Sequence, residues 1–94
     1  MILSYRDRRT ERFAEGEFVK AFEAFEMTAE RKLVQLDQAD SLDDLRQIPG
    51  NRLKALKRER AGQHSIRIND QWRICFVWNA EVRGAEWVEI VDYH

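Results

Sequence analysis

An arginine and a lysine in strand-like sequence, Arg73 and Lys57, stand upstream of a carboxylate, a phenol and an imidazole in succession, Asp92-Tyr93-His94. Groups of these types could together act on a phosphodiester. Metal-free RNA cleavage needs a base for the 2′-hydroxyl proton, cations to hold charge on the phosphate, and an acid for the departing 5′-oxygen. Imidazole titrates at about 6.5, so His94 could give or take a proton near neutrality. Asp92 could serve as base, or could orient the histidine or a neighbouring cation. Arg73 suits the phosphate, because a guanidinium stays charged and binds two oxygens at once. Lys57 would add a point charge. Adjacent strand residues point to opposite faces, so Asp92 and His94 share a side and Tyr93 opposes them unless the strand ends or twists there. Released in that way, Tyr93 could stack on a base, a contact worth about 1–3 kcal/mol in single-strand binders. The same residues at a strand end are also ordinary surface residues. What separates the two readings is whether the fold gathers them.

The charge distribution favours a polyanionic partner. Net charge is −1, which argues against a generic nucleic-acid binder, but residues 18–45 carry seven acids against three cations, net −4. Residues 52–73 carry seven cations against Glu59 and Asp70, net +5. This split suggests an acidic helical layer and a basic sheet-side surface, on which Arg52, Lys54, Arg58, Arg60 and Arg67 would grip an RNA backbone. A solvated face with locally biased charge is the plainer alternative. The single cysteine, Cys75, reads as buried packing, and no Cys/His pair has zinc-ligand spacing, so neither metal nor cofactor is expected. No apolar run approaches the ~20 residues needed to span a bilayer, and the start lacks a signal-peptide layout. The chain reads as a cytoplasmic protein that does not engage membranes.

Elements that would position these groups can be traced along the chain. At 94 residues, 44% of them apolar, the chain suits one domain, 1–94, around a single core. Ile2–Tyr5 reads as a short strand. Asp7 suits the N-cap of a helix around Arg8–Glu15, and Gly16 the position just past its end. Phe18, Phe22, Phe25, Ala29, Leu33 and Leu36 recur at helical spacing and predict one long amphipathic helix with a core-facing stripe. Ser41 and Asp44 form a capping-box signature before a short turn of helix that Pro49-Gly50 stops. The period then changes to two. Strands are expected over Arg52–Leu56, Gln63–Ile68, Trp72–Trp78 and Glu86–Tyr93, with a charged connection at Arg58–Gly62 and a loop at Asn79–Gly84. Helices followed by consecutive strands give an α+β fold: a small antiparallel sheet with two main N-terminal helices packed on one face.

One hairpin register follows from facing rules. Opposed residues of an antiparallel pair share a face, and only a three-residue loop, Asn69–Gln71, sets Ile68 against Trp72 and Ile66 against Ile74. That register also sets Arg67 against Arg73 on the face away from the helices. A bound anion would relieve their repulsion, a local hint of a phosphate site. His64, by the same parity, should face the apolar side or the sheet edge, as a packing residue.

The segments Ser65-Ile-Arg-Ile-Asn-Asp-Gln-Trp-Arg-Ile-Cys-Phe76 and Val88-Glu-Ile-Val-Asp-Tyr-His94 resemble the HigB family of the RelE/ParE toxin superfamily. Leu56-Lys57 before a charged, glycine-containing turn and the overall length extend the likeness over nearly the whole chain. The resemblance implies a RelE or microbial-RNase-like fold and a type II toxin–antitoxin role, with ribosome-dependent cleavage of mRNA in the decoding site. It implies a HigA-type helix-turn-helix antitoxin as partner, and operator DNA bound only through that complex. By the same resemblance, Arg73, Lys57, Asp92, Tyr93 and His94 match the active-site set. One departure is Lys54, where some members have a histidine. A ParE-like toxin that acts on a protein such as gyrase without cleavage, or an inactive homologue that only pairs with antitoxin, remain alternatives.

Overall fold

Asp7 starts the first helix as its position suggests. In the computed structural model, which describes residues 1–93, the Asp7 carboxylate accepts the Thr10 amide N–H at 3.0 Å and α1 spans Arg8–Ala14. Gly16 follows at φ +97°, a backbone that only glycine adopts without strain. Ser41 caps α3 (Leu42–Arg46) by accepting the Asp44 amide, while the Asp44 carboxylate reaches back to the Asp40 amide at 2.9 Å.

The long helix expected from the aromatic stripe is two elements. A 3₁₀ segment runs over Lys20–Phe25, and α2 begins only at Glu26 and ends at Gln38. A 3₁₀ turn eclipses positions three apart, so Phe22 and Phe25 lie on one side, ring centroids 5.8 Å apart, and both meet Trp72. The helical stripe resumes as Phe25, Ala29, Leu33 and Leu36. Phe18 precedes the first turn and is 63% exposed, so it is no part of the core.

The sheet has four strands in the order β1 (Lys54–Ala55), β2 (His64–Arg67), β3 (Trp72–Asn79) and β4 (Gly84–Asp92), all pairs antiparallel. The expected strand over Arg52–Leu56 pairs only at Lys54 and Ala55, because Arg52 turns to φ +45°. The hairpin adopts the register argued from facing: Ile66 opposes Ile74, Arg67 opposes Arg73, and the Ile68 amide bonds the Trp72 carbonyl at 3.0 Å. Ile2 and Tyr5 make parallel bridges to Ala85 and Val88, so the amino-terminal segment covers the outer edge of β4.

A bulge in β4 was not foreseen. Cys75 pairs Glu89 but Val77 pairs Glu86, leaving Trp87 and Val88 opposite Phe76. Trp87 takes φ +54° and points outward, 53% exposed. The extra residue lets Ala85, Val88 and Ile90 all face inward although their spacing is three and then two.

That alternation creates two unequal faces. The larger joins Phe13, Phe22, Leu33 and Leu36 of the helical layer to Ile66, Ile74, Phe76 and Ile90 of the sheet. Each such side chain contributes about 1.5–3 kcal/mol when fully buried. Leu56, Cys75 and Val91 form a smaller cluster on the opposite face, with Tyr93 packed against it. The candidate site lies there.

Candidate active site

Strand parity delivers Arg73 to the open face beside Ser65, and the side chain is tied down on arrival. Nε donates to Ser65 Oγ at 2.7 Å, and Nη2 donates to the Arg52 carbonyl at 2.7 Å. The left-handed backbone at Arg52 turns that carbonyl toward the guanidinium, a strain of about 1–3 kcal/mol. Burial lowers the Arg73 pKa, with the Arg67 and Arg52 charges adding to the effect and Cys75 and Tyr93 opposing it. A guanidinium remains a cation at neutral pH regardless.

The repulsion expected between Arg67 and Arg73 is answered within the chain. Arg67 forms an ion pair with Asp70, while Arg73 is anchored through Nε on Ser65 and through Nη2 on Arg52. The pair of arginines therefore needs no bound anion to coexist, and the hint drawn from their repulsion falls away.

A cationic hollow flanks this position. Lys54, Ala55, Lys57, Arg58, Glu59, Arg60 and Tyr93 surround about 430 Å³, four cations against one carboxylate. The 3₁₀ turn Arg58–Arg60 shapes its rim, with Arg58 itself at φ +57°. Arg60 is aimed by Gln63 Oε1 at 3.0 Å and Glu89 Oε1 at 3.2 Å. Lys54 Nζ and Arg60 Cζ each stand 5.9 Å from the centre of the Tyr93 ring. Cation–π contacts of this kind contribute about 0.5–1 kcal/mol at exposed sites. The phenol is thereby gripped by cations and the apolar cluster, so its ring is less open for base stacking than a free strand end would be.

Asp92 is placed elsewhere. It pairs with Trp72, and Ile90 two residues earlier is in the main core, so Asp92 belongs to the helix-side face at the end of the sheet. Its Oδ2 accepts Gln71 Nε2 at 2.7 Å. Arg73 pairs instead with Val91, on the opposite face. The strand therefore does not bring Asp92 to the guanidinium. His94 lies outside the described residues. Arg52 stands at the corner before β1, and Arg67 beside Arg73 on β2.

His64 packs rather than joins the hollow. Its ring stacks on Phe76 with centroids 6.3 Å apart, and burial, with a smaller push from Arg46, lowers its pKa. Four supporting residues escaped the sequence reading: Ser65, Glu89, Gln71 and the buried Asn51. Ser65 and Glu89 were within reach of it, since both oppose Cys75 and must share the face of Arg73.

Comparison with known proteins agrees with this architecture. The profile of a family described as "RelE-like toxin of type II toxin-antitoxin system HigB" matches residues 3–94. The chain is similar to Toxin HigB-1 of Vibrio cholerae serotype O1 (strain ATCC 39315 / El Tor Inaba N16961), 38% identical over 80 residues, which span 83% of this chain and 84% of that protein.

Proposed function

We propose, from the premise that this chain belongs to the family of RelE-like HigB toxins of type II toxin–antitoxin systems, that it is an endoribonuclease that cuts translated mRNA on the ribosome. A HigA-type antitoxin would neutralise it, and operator DNA would be bound only through that complex. The observation that carries the reading is the hollow of Lys54, Lys57, Arg58 and Arg60 around Tyr93, on the same sheet face as the anchored Arg73.

In this scheme the RNA backbone enters the hollow and its phosphate meets Arg73 and Lys57. Charge on the phosphate rises as the 2′-oxygen attacks, and pre-oriented cations stabilise it without reorganising. Lys54, Arg58 and Arg60 hold the flanking backbone, with Arg52 and Arg67 at the margin. Proton transfer falls to Tyr93, whose neighbours are cations, and to His94. Asp92, held by Gln71 Nε2 at the end of β4, stands on the face away from Arg73.

Expression of the chain in a bacterium, followed by mapping of mRNA 5′ ends, tests this. New ends inside translated codons are expected. DNA damage with intact transcripts would instead assign the chain to the ParE-like, non-cleaving mode, and neither effect would leave an inactive partner of an antitoxin.

A further inference from the structure

Behind the sheet, the corner that orients Arg73 is held by a buried cation. Lys32 lies on α2 and is 7% exposed, although lysine is almost never buried without a partner. Its ammonium donates to Asn51 Oδ1. Asn51 is fully buried and each of its polar groups is engaged. Nδ2 donates to the Leu45 carbonyl at 3.1 Å, the amide N–H donates to the Ile48 carbonyl at 3.2 Å, and the carbonyl accepts the Arg67 amide at 2.7 Å. The next residue is Arg52, at φ +45°, whose carbonyl receives Arg73 Nη2. A non-glycine residue keeps such a backbone only where its surroundings over-determine it.

We propose that Lys32 and Asn51 form a buried pin that positions Arg73, acting through the strained Arg52 carbonyl and without touching substrate. On the helix, Lys32 shares a face with Ala29, Leu33 and Leu36, where an apolar side chain would fill the space at less desolvation cost. Burial lowers its pKa, and the Arg31 and Arg67 charges lower it further, so the ammonium is held against opposition. What it supplies in return is a donor for Asn51 Oδ1, which has no other donor among the described residues. The catalytic consequence rests on the nuclease reading above; the geometry does not.

Nitrogen-15 spectra of the full chain test the pin. Lys32→Met is expected to shift the Arg73 Nη2–H resonance and speed its exchange with solvent about fivefold or more, as loss of the hydrogen bond to the Arg52 carbonyl does. Amides of Ile66 and Ile74 should keep their wild-type shifts. Adding Arg52→Gly removes the penalty of positive φ and should return the Arg73 signal toward its wild-type position. An unmoved signal in Lys32→Met, or a displaced one that Arg52→Gly fails to restore, overturns the proposal. Should Lys32→Met not fold, the double variant decides alone: a wild-type Arg73 signal supports the pin, and a displaced signal or an unfolded chain sinks it. If the wild type cuts mRNA, Lys32→Met should lower kcat with ribosome affinity unchanged and cost nothing more in an Arg73→Lys background. Additive losses there would reject the pin, whereas a wild type that cuts nothing removes the nuclease reading and leaves the resonance test standing.

Discussion

Arg73 is the residue on which the site turns, because its guanidinium is fixed by two short anchors, Ser65 Oγ and the Arg52 carbonyl. Losing one pre-oriented donor to a developing oxyanion costs about 2.7–4 kcal/mol, a factor of about 10²–10³ in rate. Arg73→Ala should therefore abolish growth inhibition while the folded spectrum survives; a fully toxic variant would remove its assigned role. Deleting Tyr93-His94 should end cleavage and leave antitoxin binding intact, since Tyr93 packs against the smaller cluster and its flanking cations and its amide donates to the Gln71 carbonyl at 3.1 Å, contacts made on the sheet side. Normal transcript cutting by that truncation would contradict the part given to the tail. Residue types and parity in the sequence were enough to set Arg73 on the face away from the helices. The same parity, applied to Ile90 and Asp92, separates Asp92 from Arg73, and the recognised cluster of acid, phenol and imidazole concealed that conflict. Lys32 was legible in principle as a lysine on an apolar helical face, but charge counting over residues 18–45 treated it as surface.

At the scale of elements, local rules succeeded where one hydrogen bond or one register decides the outcome. The caps at Asp7 and Ser41 and the Ile66–Ile74 register follow from side-chain chemistry and facing alone. The break of the long helix at Phe25 and the bulge at Trp87 do not, because tertiary packing selects them: Trp72 receives Phe22 and Phe25 together, and Ser4 receives the Trp87 amide at 2.9 Å. Asp7→Ala should cost about 1 kcal/mol, lowering Tm by about 4–8 °C for a chain of this size, with toxicity kept; thermal unfolding monitored by circular dichroism measures it. Cys75, central in β3, offers a second check. Burial, which outweighs the nearby cations, pushes its thiol up from 9.0 to about 11. The thiol should resist modification in the native protein at pH 8 and react once unfolded. Because its folded pKa is the higher one, its contribution to stability is complete below pH 9 and is lost as pH rises toward 11.

Across the whole molecule, a nearly neutral total hides an uneven distribution. Residues 52–73 carry seven cations against two acids, while the helical elements Arg8–Ala14, Lys20–Phe25, Glu26–Gln38 and Leu42–Arg46 together carry seven cations and seven acids, so the acidic helical layer expected from residues 18–45 is offset by the arginines of α1. On the proposed reading, the basic segment would engage RNA. If the four cations of the hollow each displace a counterion, log affinity for single-stranded RNA should fall with log salt at a slope of about −3. Lys57→Ala should reduce that slope by about 0.7; binding titrations over a range of salt would show an unchanged slope if Lys57 stands clear of the backbone.

If the open sheet face cuts mRNA held by a ribosome, purified chain added to programmed ribosomes should leave new mRNA 5′ ends that primer extension maps to the codon being decoded. The same mRNA without ribosomes should stay whole, as should message exposed to Arg73→Ala. Intact message on programmed ribosomes, or equal cutting by wild type and Arg73→Ala, would overturn the nuclease reading.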